Sequence, residues 1–331
     1  MNTVKTQNLV AWMERQQIGL YLVAILAGGA VGFLAPSSAG ALEHSINPVL
    51  GLLLYATFLG IPFAAIGKAA RDLRFLATVL ILNFLAVPVV VFGLSRFIAG
   101  DRALLVGVLL VLLTPCIDYV IVFTGLAGGA TDRLLAAAPV LMLAQMLLLP
   151  VYLLVFVGPE LVSAIDPAPF IEALVVLIMV PLAAAALTQA LGRRAALGRA
   201  VMAVTQALMV PLMMATLAVV VGSQIVGVGQ ELTSLLTVVP IYAAFLLVMV
   251  PLGLLAAKAA GLDVAATRAV VFSGATRNSL VVLPLALALP GPLALAALVV
   301  VTQTLVELVG MVIYVRFLPL IVRSEPRRQL A

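Results

Sequence analysis

Apolar runs long enough to cross a bilayer follow one another along this chain with only short polar breaks between them. Lipid offers no partner for a backbone N–H or C=O, so a chain of this kind must close its own hydrogen bonds as helices or as a sealed barrel. A crossing helix needs about 20 apolar residues, and the sequence supplies ten such runs, near 17–35, 47–67, 75–98, 103–127, 134–157, 168–191, 201–227, 233–257, 265–289 and 291–318. Barrel strands would alternate polar and apolar residues. These runs are instead continuous in Ala, Leu and Val, and predict an all-α integral membrane protein. Composition agrees: 9% of residues are charged, against about 25% in soluble domains.

Basic residues set the orientation. With both ends cytoplasmic, fifteen Lys and Arg side chains fall on the inner side, among them Lys5, Arg15, Lys68, Arg71, Arg133, Arg193, Arg194, Lys258 and Arg268. Arg96 and Arg102 alone fall outside, with Glu43, Glu160, Asp166 and Glu231. That asymmetry predicts a multi-pass protein of the cell (inner) membrane. The run starting near Ile18 lacks a small-residue cleavage site and reads as a span, not a removable signal. The +5 net charge belongs to these loops and tails and does not point to nucleic acid.

Three ionisable residues stand inside the apolar runs: Asp118, Arg277 and Glu307. Each costs about 2.5–3.5 kcal/mol to insert, so such residues face partners or water and mark transport paths. Asp118 and Arg277 occur in helix-breaking stretches, Thr114-Pro115-Cys116-Ile117-Asp118 and Gly274-Ala275-Thr276-Arg277-Asn278-Ser279. A shift of 162 positions puts Asp101 on Asp263, Pro115 on Arg277, Cys116 on Asn278 and Gln145 on Glu307, with Pro88 one residue from Pro251. The chain thus reads as a tail (1–16), a five-helix repeat (17–157), a second five-helix repeat (168–318) and a tail (319–331). Five is odd, so the second repeat enters the membrane inverted. Repeats of this kind place a binding site at the midplane, where their broken helices meet.

The motifs carry a resemblance. Thr114 to Phe123 resembles a Pro-Cys motif, Leu126 to Gly129 a Leu-x-x-Gly ending, Asn83 to Pro88 an Asn-x-x-x-x-Pro pattern, and Leu305-Val306-Glu307-Leu308-Val309 a Leu-Val-Glu-Val motif. Together they resemble the bile acid/sodium symporter superfamily, on its arsenite-permease branch. The resemblance implies ten helices in a core (spans three to five and eight to ten) and a panel (one, two, six and seven), with helices four and nine crossing at unwound centres. It implies extrusion of arsenite or antimonite by proton exchange, with functional roles for the residues here numbered Cys116 and Glu307. The sister branch imports organic anions with sodium. The ninth span departs from the branch, whose Ser-Asn-Asn-Phe-Glu is here Thr276-Arg277-Asn278-Ser279-Leu280, and Asp118 stands where a small neutral residue is usual.

The residues themselves leave choices open. A guanidinium is permanently charged and donates five hydrogen bonds in a fixed fork. Arg277 therefore reads as a substitute for a bound sodium ion, as half of a structural pair with Asp118, or as a clamp for an anionic substrate. Cys116 reads as a soft ligand for a metalloid or as a small buried hydrophobe. Glu307 reads as a proton carrier, loading on one side and releasing on the other, or as a buried acid satisfying Gln303 and Gln145. Thr114, Asn278 and Ser279 complete the candidate substrate site, with Asn83, Gln145, Gln303 and Thr276 as supporting polar groups. The methionines fill packing gaps, and His44 is assigned no role. An enzyme is not expected, since paired acidic motifs, a Ser/His pair and a histidine cluster are all missing from the sequence. Neither a cofactor nor a metal is expected; coupling is expected from protons and not from sodium. The expected partners are lipid and a small-molecule or metalloid substrate, for a monomer or homodimer.

Overall fold

The computed structural model describes residues 2–60, 72–117, 119–158 and 168–323. Asp118 lies outside the described residues, as do Lys68, Arg71, Glu160, Asp166 and the last eight positions. The described chain is helical. Its helices are α1 (Asn2–Leu34), α2 (Ala39–Gly60), α3 (Leu73–Ile98), α4 (Arg102–Leu112), α5 (Tyr119–Leu126), α6 (Thr131–Val157), α7 (residues 168–192), α8 (Ala196–Ala207), α9 (Met209–Gln230), α10 (Leu232–Ala259), α11 (Val264–Ala275), α12 (Ser279–Leu287) and α13 (Leu295–Ile321). Among the described residues, five helical stretches are long and apolar enough to cross a membrane: α3, α6, α9, α10, and α13 counted from Gly291. Large apolar side chains are exposed on them, including Val89, Leu147, Leu247 and Ile313, while Arg277 and Glu307 are buried. Apolar outside and charged inside is the distribution expected of a multi-pass membrane protein.

Local sequence decides where these helices start, bend and divide. The stretch read as a tail, 1–16, is helical from Asn2 onward, and α1 turns by 77° between Gln17 and Gly19, where the apolar run begins. The run 201–227 is divided at Leu208 between α8 and α9. Pro211 has no N–H for the carbonyl four residues back, so a continuous helix is broken there. The runs 103–127 and 265–289 are each two short helices. In α3, a π turn spans Leu82–Ala86 just before Pro88. Proline leaves the Phe84 carbonyl without its helical donor, and the Tyr152 hydroxyl donates to it at 2.6 Å.

The chain forms two compact units. One comprises Met1–Phe63, Ala164–Leu236 and Leu280–Val301. Within it α1 packs along α9, α9 on α2, α2 on α7 and α7 on α8. The α1–α9 seam is made of small residues: a Cβ on Gly28 would meet the Ala218 carbonyl at 2.3 Å, and one on Gly32 the Gly222 carbonyl at 2.1 Å. Gly28-x-x-x-Gly32 against Ala218-x-x-x-Gly222 is the small-residue spacing that lets membrane helices approach backbone to backbone.

The other unit comprises Ala64–Ser163, Thr237–Ser279 and Thr302–Ala331. Here α10 and α3 pack on α11, α11 touches α5 and α6, and α4 touches α3 and α6. Ala103 through Leu112 of α4 and Ala269 through Ala275 of α11 are buried on every side, which is how helices apolar all round behave. Arg133 joins the two N-caps Asp72 and Asp263, at 3.4 and 2.7 Å. The core expected from the resemblance held all of spans nine and ten. The chain instead passes from this unit to the other at Ser279–Leu280, directly after the ninth-span break.

Candidate functional site

Each broken helix is started by an aspartate and stopped by its own sequence. Asp101 caps α4 by accepting from the N–H groups of Ala103 (2.9 Å) and Leu104 (3.0 Å); Asp263 caps α11 by accepting from that of Ala266 (2.8 Å). A side-chain acceptor at this position satisfies donors that no helical carbonyl can reach. Helix α4 ends at Leu112 because Pro115 disfavours helical geometry in the residue before it. Helix α11 ends at Ala275, with Thr276 extended at φ −88° and ψ 130°.

The two interruptions pair with each other. The Cys116 N–H donates to the Thr276 carbonyl at 3.0 Å, and the Asn278 N–H to the Thr114 carbonyl at 2.8 Å. Pro115 and Arg277 face each other between these bonds as a one-residue antiparallel bridge. Unwound backbone in a membrane needs protein partners, and each break supplies the other's. The 162-residue shift carries one of these bonds onto the other. It also carries the bond from the Thr114 hydroxyl to the Leu110 carbonyl onto that from Thr276 to Phe272, and the Tyr152–Phe84 bond onto Tyr314–Leu246.

The symmetry fails at the bridge itself. Pro115 has no N–H. Arg277 has one, and donates it to Glu307 Oε2 at 2.7 Å. Glu307 also accepts from Gln303 Nε2 on Oε2 and from the Tyr119 hydroxyl on Oε1. Gln145, which the shift places on Glu307, is buried with Oε1 lacking a partner among the described residues.

The Arg277 side chain is 0% exposed. Its Nη2 donates to Asn83 Oδ1 (2.7 Å) and to the carbonyls of Ser273 (2.7 Å) and Gly274 (2.6 Å), and its Nη1 to the Leu112 carbonyl (3.3 Å). The Phe245 ring lies 5.4 Å from the guanidinium carbon. Leu112, Ser273 and Gly274 belong to the last turns of α4 and α11, whose carbonyls lack helical partners and form the negative ends of the helix dipoles. The cation thus sits among neutral oxygens, at two helix C-termini and against a π face. Among the described residues the ion pairs are those of Arg133; Glu307 holds the backbone of Arg277 and not its guanidinium.

The crossing brings together Cys116, Thr114, Thr276, Arg277, Asn278, Ser279, Glu307, Gln303 and Asn83. Cys116 and Asn278 are 1% exposed. Thr114 and Thr276 direct their hydroxyls back to their own helices. Ser279 accepts from the Thr304 hydroxyl at 2.8 Å, and Asn83 donates to the Val79 carbonyl and to Ser273 Oγ. Sequence reasoning missed Tyr119, Ser273, Phe245 and Thr304. The same shift held a signal for one of them, since it places Asn83 on Phe245, and both flank the guanidinium.

An apolar many-helix chain with a buried polar crossing of interrupted helices is a multi-pass membrane transporter. The pattern of the Sodium Bile acid symporter family matches residues 47–231, more than half of the 331-residue chain, and the protein belongs to that family. Its members are secondary transporters and not enzymes. The match includes Cys116 and Gln145 and ends before Arg277 and Glu307. No curated protein matches the chain.

Proposed function

We propose that the protein is a proton-coupled, sodium-independent carrier that exports a trivalent metalloid hydroxide of the arsenite or antimonite type. The observation that carries the coupling is the surroundings of Arg277. Neutral carbonyls, an amide oxygen and an aromatic face are ligands suited to a small cation, and the guanidinium already fills them. A tethered cation leaves sodium no place there. Glu307, with three donors around an intramembrane carboxyl, is then the group that loads and releases the proton. Cys116 is the soft ligand for the metalloid.

The wider reading rests on the same features. The paired breaks and the hydrogen bonds repeated at a spacing of 162 support two inverted five-helix repeats, ten spans in all. The basic loops support cytoplasmic ends in the inner membrane. The second reading is a carrier of small organic anions clamped by Arg277. It is weaker because four of the clamp's hydrogen bonds go to the protein's own oxygens.

The experiment is transport in proteoliposomes under an imposed pH gradient, with arsenite, antimonite or taurocholate as cargo, in sodium or choline buffer. Metalloid movement driven by the gradient and equal in both buffers is expected. Strict sodium dependence refutes the tethered-cation reading, and taurocholate movement without metalloid movement establishes the second reading.

A further inference from the structure

Tyr119 holds one hydroxyl proton and has two acceptors for it. Its oxygen is hydrogen-bonded to Glu307 Oε1 and lies 3.2 Å from the carbonyl oxygen of Arg277. The N–H of that same Arg277 goes to Glu307 Oε2. The three groups close a ring: carboxyl to backbone N–H, through residue 277 to its carbonyl, across the phenol, and back to the carboxyl. Tyr119 is 3% exposed and Glu307 1%, so bulk water does not substitute for a missing bond.

We propose that Tyr119 is a positioning residue that reads the protonation state of Glu307 and passes it to the interrupted backbone of the ninth span. This rests on the reading of Glu307 as the proton carrier. An ionised carboxylate is an acceptor only, so the phenol must donate to it and its proton is withheld from the Arg277 carbonyl. When a proton from the aqueous side binds Oε1, that oxygen becomes a donor. The bond reverses, Glu307 donates to the Tyr119 oxygen, and Tyr119 rotates its own proton onto the Arg277 carbonyl. One proton enters and forms one O–H bond on Glu307, no covalent bond is broken, and the break gains one hydrogen bond. Loading therefore ties the break between α11 and α12 to α5, and release loosens it. That is a link between proton binding and the crossing that a lone carboxyl would lack.

Other groups face this ring. Arg277 and Cys116 lie beside Tyr119, Gln303 donates to the carboxyl, and Tyr314 senses Glu307 from the same helix. The Ser279 hydroxyl, which accepts from Thr304, is also hydrogen-bonded to the Tyr119 hydroxyl, and none of these groups offers a second phenol to the Arg277 carbonyl.

The test is pH-difference infrared spectroscopy of the full-length protein in lipid nanodiscs, with no substrate present. Acidifying the wild type is expected to produce a carboxylic-acid carbonyl band that Glu307→Gln removes. In Tyr119→Phe the band should remain, displaced in frequency, with its pH midpoint moved by about one unit, the size of one hydrogen bond to a charged group. A band that Tyr119→Phe leaves unmoved overturns the switch while keeping Glu307 as carrier. Lack of any Glu307-dependent band overturns the carrier reading itself. If Tyr119→Phe does not fold, 3-fluorotyrosine at position 119 keeps the shape and the hydroxyl. It should displace the same band, and an unmoved band there overturns the switch equally.

Discussion

Glu307 and Arg277 are both buried, yet they answer different needs. The carboxylate gathers three donors on its two oxygens, whereas the guanidinium gathers acceptors that two helix ends would otherwise leave bare. Replacing each therefore has a different signature. Glu307→Gln keeps the size of the side chain and removes its titration. Gradient-driven exchange should fall on the order of a hundredfold, the lower end for loss of a positioned proton-transfer group, while counterflow of labelled cargo without a gradient persists. Equal loss in both assays would contradict the assignment. Cys116→Ser removes the soft ligand and keeps a small buried polar side chain. Metalloid affinity should drop tenfold for each ~1.4 kcal/mol of lost ligation, and isothermal titration with antimonite reads it directly. Unchanged affinity would make Cys116 a packing residue.

At the scale of elements, the helices owe their close seams and their interruptions to small residues and prolines. Gly28 and Gly32 let α1 lie against α9 at distances that exclude a Cβ. Gly32→Val should force the pair apart, lowering the melting temperature in detergent by the equivalent of about 1–3 kcal/mol. Gly19→Val, where no atom lies within 4 Å of the added Cβ, is the matched control with little effect. Much of this level was legible in the sequence: run lengths located the helices, and the prolines and Gly274 located the breaks. The division at Leu208 was not, because apolar content continues through it and Pro211 resembles the kinking prolines elsewhere. Tyr119 escaped notice for a similar reason. It stands in an apolar stretch, Tyr119-Val120-Ile121-Val122-Phe123, and its hydroxyl acquires meaning only from Glu307, 188 positions away. The charge of Arg277 and its ligand Asn83 are visible in the sequence, and the 162-residue shift points to Phe245; the carbonyls of Leu112, Ser273 and Gly274 are backbone and carry no sequence signature of their own.

At the scale of the whole molecule, the tethered cation makes a claim about stability that needs no cargo. A ligand that binds the native state alone stabilises it by RT ln(1 + [L]/Kd), about 2.7 kcal/mol at one hundred times Kd. The wild type has its cation covalently attached, so exchanging choline for sodium should leave its thermal unfolding unchanged. Arg277→Gln withdraws the charge and leaves Asn83 Oδ1 and the carbonyls of Leu112, Ser273 and Gly274 without their donor. Each buried group so stranded costs about 1–3 kcal/mol, and the variant should melt well below the wild type. These are also the oxygens a sodium ion would accept. Sodium, and not choline, should then return part of the lost stability in a saturable manner, and the same variant should acquire a sodium requirement in transport. If both proteins respond to sodium alike, the ion has a site elsewhere in the chain, and Arg277 is a structural clasp between two helix ends. If neither variant property responds to sodium, the oxygens around Arg277 are arranged for a guanidinium and for no smaller cation, and sodium independence stands without the exchange of one cation for another.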